Sequence, residues 1–408
     1  MLAALADGVT RISGWLPSQD CLATLGILKR LGVETTQLDE SGTEIEVTGR
    51  GLGGLSVPVS GEPLDCGNSG TTMRLMLGIL AGHGFRVTLA GDESLSRRPM
   101  LRVTEPLRMM GAVITGPDEG AHAPLVVEGG TLKGLTFDLP MASAQVKSAL
   151  LLAGLHARGA TRVRESAPSR DHTERAIRRL GAGYTAEPDG WHKIEGGSRL
   201  SSGPWRVPGD ISAAAFFMVA ASIGIKSEVE ITGVGLNPTR TGLLDILLKM
   251  GAKIVVANAR EEDGEPVADV VVKGGHGLKG VRVVGGMIPR LIDEIPVLAV
   301  AACFAEGVTI IRDAAELRAK ESDRIATTAA ELGKMGAKIG VLSDGLVIEG
   351  GQALKGAAVE SHGDHRLAMA LAVAAGAASG ETTVDSVDCV STSYPGFRAD
   401  LARLMEGG

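Results

Sequence analysis

The segment Leu247-Leu248-Lys249-Met250-Gly251-Ala252, followed by Lys253-Ile254-Val255-Val256, carries the pattern that decides the fold. A basic residue in the last turn of a helix is stabilised by the helix dipole, and a glycine just beyond that turn is typical of a left-handed cap. The β-branched residues after it indicate a strand. The segment therefore predicts a helix that ends at a glycine and leads directly into a strand.

The same helix end recurs along the chain with a period of roughly 70 to 80 residues. Its glycines are Gly32, Gly111, Gly181, Gly251 and Gly336, and a degenerate sixth copy covers residues 404–407. A second pattern interleaves with the first and consists of a polar start, an Ala/Leu-rich helix, a glycine turn and a strand. Its clearest copies begin at Asn68, Ser143, Asp210, Asp293 and Gly363, while a partial copy at residues 1–12 has no polar start. Chance similarity of Gly/Ala-rich sequence is the alternative, but two patterns with one period favour six true repeats.

Each repeat holds two helices and several strands, so the sequence predicts an α/β fold. Three repeats in each half predict two pseudo-symmetric domains, residues 1–207 and 208–408, of which the first contains an incomplete repeat. Where polar helix starts face a cleft, their unpaired N–H groups create a site for anions.

Composition limits the function. The chain has 408 residues, of which 44% are hydrophobic and 3% aromatic, with a net charge of −7. The acidic balance argues against a general nucleic-acid surface, and the few aromatic residues leave little for base stacking. The four scattered cysteines favour a reducing cytoplasm over a disulfide framework or a zinc site. The apolar stretches 211–225 and 367–380 are too short to span a bilayer, and no signal peptide is expected.

Polar segments at four helix starts of the first half are candidate anion sites. Residues 68–74 combine caps, a glycine and an arginine, and residues 94–100 place Arg97 and Arg98 beside a proline as a fork for a carboxylate or phosphate. Residues 143–147 and 169–172 offer hydroxyl, amide and basic groups. The alternative for residues 68–74 is an ordinary cap with a surface arginine, and that for residues 94–100 is a solvated charge pair. The alternative for residues 143–147 and 169–172 is a plain cap in each case.

Three segments of the second half add carboxylates. Asp293 and Glu294 precede an apolar helix, either as a capping pair or as a general base. Residues 316–324 form either a solvated helix face, with i,i+4 pairs such as Lys320 with Arg324, or part of a site. The spacing in residues 362–366 matches no metal-ligand set. Without phosphate-loop, dinucleotide or hydrolase motifs, these residues indicate group transfer between anionic substrates, with no cofactor and no metal.

Nine segments in order resemble the 5-enolpyruvylshikimate-3-phosphate synthase family from Met1 to the C-terminus. They are GNSGTTMR (67–74), GDESLSRRPM (91–100), PMASAQVKSALLLAG (140–154), SRDHTER (169–175), VPGDISAAAF (207–216), NPTRTG (237–242), PRLIDEIP (289–296), ELRAKESDRI (316–325) and HGDHR (362–366). The resemblance implies the enolpyruvyl transferase fold, with two domains of three βαβαββ units each.

The resemblance also implies an activity, the transfer of the enolpyruvyl group of phosphoenolpyruvate to the 5-hydroxyl of shikimate 3-phosphate with release of phosphate, in the pathway to chorismate and the aromatic amino acids. The implied phosphoenolpyruvate ligands are Gly70, Arg98, Gln145, Arg324 and Arg366. The implied shikimate 3-phosphate ligands are Ser143, Ala144, Gln145, Arg170, Asp293 and Lys320. The implied catalytic residues are Asp293, which takes the hydroxyl proton, and Lys320 and Glu321, which serve substrate binding and proton transfer at the methylene carbon. We expect a cytoplasmic monomer without nucleic-acid or membrane partners.

The chain departs from the family pattern in two places. It begins just after the family's first strand and its GDKSxSxR segment, so the second domain is expected to lack that strand, and Thr392 stands where many relatives carry a lysine. A truncated homologue with severely reduced activity is therefore one alternative. Another is the enzyme that transfers enolpyruvyl to UDP-N-acetylglucosamine, although residues 94–100 lack its reactive cysteine. The resemblance further predicts partial inhibition by glyphosate, which a methyl group at Gly70 would weaken.

Overall fold

The computed structural model describes residues 1–406. The chain divides into two compact units, Met1–Val207 (unit 1) and Pro208–Gly408 (unit 2). Within the described residues, no helix combines the length and the apolar character that a membrane crossing requires.

Unit 1 contains eight α-helices and twelve strands. The helices are α1 (Leu2–Leu5), α2 (Gln19–Arg30), α3 (Gly70–Leu80), α4 (Glu93–Ser96), α5 (Leu101–Met109), α6 (Pro117–Gly120), α7 (Ala144–His156) and α8 (His172–Arg179). The strands are β1 (Asp7–Ser13), β2 (Glu34–Gln37), β3 (Glu44–Arg50), β4 (Leu64–Asp65), β5 (Arg86–Ala90), β6 (Val113–Thr115), β7 (Leu125–Glu128), β8 (Thr136–Asp138), β9 (Ala160–Arg164), β10 (Tyr184–Ala186), β11 (Trp191–Glu195) and β12 (Trp205–Arg206).

The strands of unit 1 form three four-stranded sheets, in the orders β12-β1-β3-β2, β4-β5-β7-β6 and β10-β11-β9-β8. In each sheet one pair is parallel, namely β1 with β12, β4 with β5, and β8 with β9. The other pairs are antiparallel. Three sheets of one design confirm the α/β repeats that the sequence predicts for this half.

Unit 2 contains seven α-helices and nine strands among its described residues. The helices are α9 (Ile211–Ile223), α10 (Gly242–Met250), α11 (Ile288–Leu291), α12 (Ile295–Phe304), α13 (Arg324–Lys334), α14 (His365–Ala377) and α15 (Phe397–Glu406). The strands are β13 (Glu228–Gly235), β14 (Lys253–Glu262), β15 (Glu265–Lys273), β16 (Arg282–Val283), β17 (Val308–Ile311), β18 (Lys338–Leu342), β19 (Gly345–Glu349), β20 (Ala358–Glu360) and β21 (Thr383–Asp385). They pair in the orders β13-β15-β14, β16-β17-β19-β18 and β20-β21.

The recurrent helix-end glycines adopt the left-handed conformation that the sequence predicts. Their φ angles are +86° at Gly32, +112° at Gly111, +80° at Gly181, +97° at Gly251 and +93° at Gly336. Residues with a Cβ rarely adopt these angles, so glycine is required there. The segment that decides the fold behaves as expected, since α10 ends at Met250 and β14 begins at Lys253. In the degenerate sixth copy, the glycine at position 407 lies outside the described residues.

The two central helices of unit 1 pack with their backbones almost in contact. A Cβ at Gly78 of α3 would lie 2.2 Å from the carbonyl oxygen of Ala149 in α7. Side chains along both helices are buried in one hydrophobic core. This close packing brings the polar start of α3 beside the polar start of α7.

Candidate active site

The start of α3 lies under two buried arginines. Ser69 caps the helix by accepting a hydrogen bond from the backbone N–H of Thr72. A Cβ placed on Gly70 would lie 2.7 Å from Nη1 of Arg74 and 3.3 Å from Nη1 of Arg98. Both arginines are largely buried. The helix N–H groups and two cations thus converge on one surface, which suits an anion.

Gln145 links this helix start to α7. Arg74 Nη1 donates to Gln145 Oε1 at 2.8 Å, and Gln145 Nε2 donates to Thr71 Oγ1 at 2.9 Å. Arg98 Nη2 donates to Asn68 Oδ1 at 2.7 Å. The side-chain amide of Gln145 is therefore held by two partners on α3, and these two hydrogen bonds fix its orientation.

Two sequence interpretations of these arginines are wrong. Arg74 is buried and not on the surface, because the residue lies on the face of α3 that packs toward α7. Arg97 and Arg98 do not form a fork, since Arg97 is exposed and pairs with Glu93 while Arg98 is buried. Residues 93–96 form the helical turn α4, and successive side chains on a helical turn point in different directions.

The remaining predicted residues of unit 1 occupy two neighbouring loops. Ser143 is the N-cap of α7, where its hydroxyl accepts from the N–H of Val146, and Ala144 is the first helical residue. Arg170 is half-buried in the loop that leads into α8. A buried carboxylate, Glu165, accepts hydrogen bonds from the backbone N–H groups of Ser143 and Ser169, so one residue joins both loops.

Arg324 is the centre of a charge cluster in unit 2. Its guanidinium donates to Asp364 from Nε at 2.7 Å, to Glu321 from Nη2 at 2.7 Å and to Asp293 from Nη1 at 3.2 Å. Burial alone would lower the pKa of Arg324, but the charges of Asp364, Glu321 and Asp293 outweigh it and raise that pKa. Arg324 is thus a permanent cation that gathers three acidic side chains from different segments.

Lys320 lies near the same oxygen of Asp293 as Arg324. Its Nζ lies 3.7 Å from Asp293 Oδ1 and 3.2 Å from Glu316 Oε1. Asp293 is only 8% exposed, so it is a largely buried carboxylate beside two cations. This arrangement can hold a proton acceptor in place beside anionic substrates.

The solvated-face interpretation of residues 316–324 is wrong. The segment is a 3-10 helix, Ala315–Ala319, followed by a bend, and α13 begins only at Arg324. Arg324 is 2% exposed, and Lys320 pairs with Glu316 and Asp293. Tertiary contacts with the segments around Asp293 and Asp364 therefore determine the shape of this run.

A second buried carboxylate, Glu294, holds Arg366. Its Oε1 lies 3.7 Å from Arg366 Nη1 and 3.3 Å from Arg240 Nη2, and it accepts a hydrogen bond from Ser212. Glu294 occupies the N-cap position of α12 but makes no capping hydrogen bond with its side chain. Glu294 therefore serves as a counter-ion for the two arginines, and the capping interpretation of this residue is wrong.

The segment 362–366 provides a cap and cations. Asp364 caps α14 by accepting from the N–H of Arg366. Burial, and then the charge of Arg366, lower the pKa of His365 to about 4. His365 is therefore neutral at physiological pH. In the part of the chain from 1 to 406, no cluster of three His, Cys, Asp or Glu side chains has a metal-binding arrangement.

Sequence reasoning missed five buried side chains that support the site, which are Arg74, Glu165, Arg240, Glu294 as a counter-ion and Asp364. Arg74 and Asp364 belong to segments that the sequence already singles out, and their position inside a polar helix start was the available signal. Thr392 is largely buried at the end of the 3-10 helix Val387–Thr392.

Comparison with known proteins relates the chain to one enzyme family. Residues 1–401 match the family model described as EPSP synthase (3-phosphoshikimate 1-carboxyvinyltransferase). A 3-phosphoshikimate 1-carboxyvinyltransferase of Pelotomaculum thermopropionicum is 54% identical over 405 residues, which cover 99% of this chain and 93% of that protein. One of Gloeobacter violaceus is 55% identical over 412 residues, covering 100% of this chain and 93% of that protein.

A solved structure has the same fold. The EPSP synthase of Acinetobacter baumannii superimposes with a TM-score of 0.87 at 44% sequence identity, and the match covers 99% of this chain and 92% of that one. The α/β fold with the enolpyruvyl transferase architecture is thereby confirmed. The chain belongs to the EPSP synthase family.

Proposed function

We propose that the chain is a 3-phosphoshikimate 1-carboxyvinyltransferase, which transfers the enolpyruvyl group of phosphoenolpyruvate to the 5-hydroxyl of shikimate 3-phosphate. Family membership over residues 1–401 supports this activity. The observation that carries it is the placement of Asp293, a largely buried carboxylate 3.2 Å from Arg324 and 3.7 Å from Lys320. A proton acceptor beside two cations is what attack by a hydroxyl on an anionic substrate requires.

Phosphoenolpyruvate is the ligand that we assign to Gly70, Arg98, Gln145, Arg324 and Arg366. Arg98 and the N–H groups at the start of α3 suit its phosphate or carboxylate, because guanidinium groups and helix N-termini both favour anions. Arg324 and Arg366 are each held by buried carboxylates, so their guanidinium groups are ordered before substrate arrives.

Shikimate 3-phosphate is the ligand that we assign to Ser143, Ala144, Gln145 and Arg170, with Asp293 and Lys320 at the reacting hydroxyl. Arg170 and the helix start at Ala144 provide a cation and N–H groups for the phosphate. Asp293 accepts the proton of the 5-hydroxyl as its oxygen forms a bond to C2 of phosphoenolpyruvate.

Lys320 and Glu321 serve the proton at the methylene carbon. In the addition step this carbon gains a proton and becomes a methyl group, giving a tetrahedral intermediate. In the elimination step a proton leaves the same carbon, the bond from C2 to the phosphate oxygen breaks, and inorganic phosphate is released. Glu321 lies 2.7 Å from Arg324, and Arg324 and Lys320 lie 3.2 and 3.7 Å from the same oxygen of Asp293. Glu321 and Lys320 therefore belong to one cluster that can both donate and accept a proton.

Several expectations stay predictions. They are the division into domains at residue 207, a cytoplasmic location, a monomeric state and partial inhibition by glyphosate.

Product analysis tests the proposed function. The protein is incubated with phosphoenolpyruvate and either shikimate 3-phosphate or UDP-N-acetylglucosamine, and the acceptor is examined by NMR. We expect vinyl protons of an enolpyruvyl ether on shikimate 3-phosphate alone. Enolpyruvyl transfer to the nucleotide sugar, or no transfer to either acceptor, would contradict the proposal.

A further inference from the structure

A buried lysine lies between two buried glutamates in unit 1. Lys147 belongs to α7, two residues after Gln145, and its side chain is 1% exposed. Its Nζ lies 2.6 Å from Glu165 Oε2 and 2.7 Å from Glu174 Oε1, and both glutamate side chains are 3% exposed. Desolvation alone would lower the pKa of Lys147, but the two carboxylates outweigh it and raise that pKa. The ammonium is therefore charged, and it compensates the acidic charge beside it.

Glu165 uses both oxygens on the two loops that carry the assigned shikimate 3-phosphate ligands. Oε1 accepts from the backbone N–H of Ser143 at 3.1 Å and also from the hydroxyl of Ser169. Oε2 accepts from the backbone N–H of Ser169 at 3.2 Å and from Lys147. One carboxylate thus ties residue 143 to residue 169, which directly precedes Arg170.

We propose that Glu165, neutralised by Lys147, is a positioning residue that holds the loop of Ser143 and the loop of Arg170 at a fixed separation for the sugar phosphate. This inference rests on the proposed function for the identity of the ligand. Glu165 acts through its neighbours, and Lys147 lets the negative charge stay buried beside an anionic ligand.

The chemistry of the site explains why a carboxylate is needed. Both oxygens of Glu165 accept from donors, so an amide in its place would turn an NH₂ group toward at least one N–H or O–H. Glu165→Gln keeps the size of the side chain but breaks this connection. A loop becomes more mobile when its buried N–H group loses its acceptor. Binding must then order the loop again, and the conformational entropy lost in doing so weakens the affinity.

Glu174→Gln is the matched control. Glu174 pairs with the same ammonium, but it lies in α8 and its other neighbour is Nδ1 of His192, at 3.8 Å. Glu174→Gln alters the other carboxylate beside Lys147 and leaves the hydrogen bonds from both loops to Glu165. Ser169→Ala is a milder second variant, since it removes only the hydroxyl donor to Glu165.

Two measurements on the full chain test the inference. Calorimetric titration gives the Kd for shikimate 3-phosphate, and steady-state kinetics gives the KM for each substrate. For Glu165→Gln we expect about a tenfold rise in the Kd and KM of shikimate 3-phosphate, a KM for phosphoenolpyruvate within twofold and a smaller change in kcat. For Glu174→Gln, the Kd and KM of shikimate 3-phosphate should stay within twofold of the values for the unchanged protein. For Ser169→Ala, both values should rise about two- to threefold.

Hydrogen exchange of the free protein separates this inference from the proposed function. Faster exchange of the Ser143 and Ser169 amides in Glu165→Gln, but not in Glu174→Gln, would support the positioning role whatever the ligand is. Equal exchange of these amides in both variants would overturn the positioning role. A folded Glu165→Gln with an unchanged Kd for shikimate 3-phosphate would also overturn it. Failure of the unchanged protein to bind shikimate 3-phosphate would instead overturn the proposed function.

Discussion

The guanidinium of Arg324 donates two hydrogen bonds to the carboxylate of Asp364, from Nε at 2.7 Å and from Nη2 at 3.2 Å. Both side chains are essentially inaccessible to solvent. Asp364 also caps α14, so the pair joins the start of that helix to the start of α13. Because Arg324 also contacts Asp293, the pair sets where the proposed general base lies.

Asp364→Asn should destabilise unit 2 by about 3 kcal/mol, because removing one partner of a buried pair leaves an inadequately compensated charge. It should also lower kcat/KM, since Arg324 loses its main anchor. Urea unfolding followed by circular dichroism and steady-state kinetics measure the two effects. Asp344→Asn is a surface control, because it removes a carboxylate paired with the half-exposed Arg312. A loss of free energy of unfolding under 1 kcal/mol in Asp364→Asn would contradict the expected role of the pair.

The same pair predicts a dependence of stability on acid. Burial would raise the pKa of Asp364, but the charge and hydrogen bonds of Arg324 lower it well below the usual range. A carboxylate with a lowered pKa in the folded state stabilises above the unfolded pKa of about 4, and this contribution is lost as the pH falls further. We expect Asp364→Asn to lose stability less steeply than the unchanged protein below pH 4, as measured by urea unfolding at successive pH values. Parallel pH profiles would be inconsistent with the ion pair.

Asp293→Asn should reduce kcat by about 10²- to 10⁴-fold, which is the usual contribution of a general base. The fold should persist, because Arg324 keeps Asp364 and Glu321 as partners. Glu316→Gln is the control, since Glu316 also pairs with Lys320 but has no assigned role. Rapid-quench kinetics with melting temperatures should show a loss of turnover in the first variant alone. Comparable activity in both variants would remove Asp293 from its assigned role.

Gly70→Ala should weaken the binding of phosphoenolpyruvate much more than that of shikimate 3-phosphate. The added methyl group would lie 2.7 Å from Nη1 of Arg74, so that guanidinium must move, and it would press on Arg98 at 3.3 Å. We expect the KM for phosphoenolpyruvate and the inhibitory concentration of glyphosate to rise several-fold, with the KM for shikimate 3-phosphate within twofold. Gly26→Ala is the control, since no atom outside the local backbone of its own helix and its chain neighbours lies within 4 Å of the added Cβ. Inhibition of both variants at the same concentration would count against this placement.

His156 should make unit 1 sensitive to mild acid. Burial, and then the charge of His83, lower its pKa from 6.5 to about 3. The unfolded chain therefore binds this proton first as the pH falls, and the free energy of unfolding should decrease from pH 6.5 toward pH 3. As the pH falls through this window, the free energy of unfolding of His156→Leu should decrease by up to about 1.4 kcal/mol less per pH unit than that of the unchanged protein. Chemical unfolding between pH 4 and 7 checks it, and an unchanged slope would show that His156 does not titrate as expected.

The helices and their ends could be predicted from the sequence because they depend on local chemistry. A glycine with positive φ at position 251 and a cap at Ser143 act within a few residues of the chain, so the pattern itself contains the information. The positions of the arginines depend on packing between distant segments. Arg74 is buried because α7 lies against it, and Arg97 is exposed because α4 turns it outward.

The support of the site was harder to predict for the same reason. Glu165 contacts Ser143 across 22 residues of sequence, and Asp364 contacts Arg324 across 40. No periodicity relates such residues. The family resemblance supplied the ligand assignments, while only the structure shows which buried carboxylates hold the basic residues.

The most direct test of the account is phosphate release by the purified protein from phosphoenolpyruvate, with and without shikimate 3-phosphate. We predict release only when both substrates are present, with one enolpyruvyl ether of shikimate 3-phosphate formed for each phosphate and with loss of both products in Asp293→Asn. Phosphate release that does not require shikimate 3-phosphate, or no release from the two substrates together, would contradict the account.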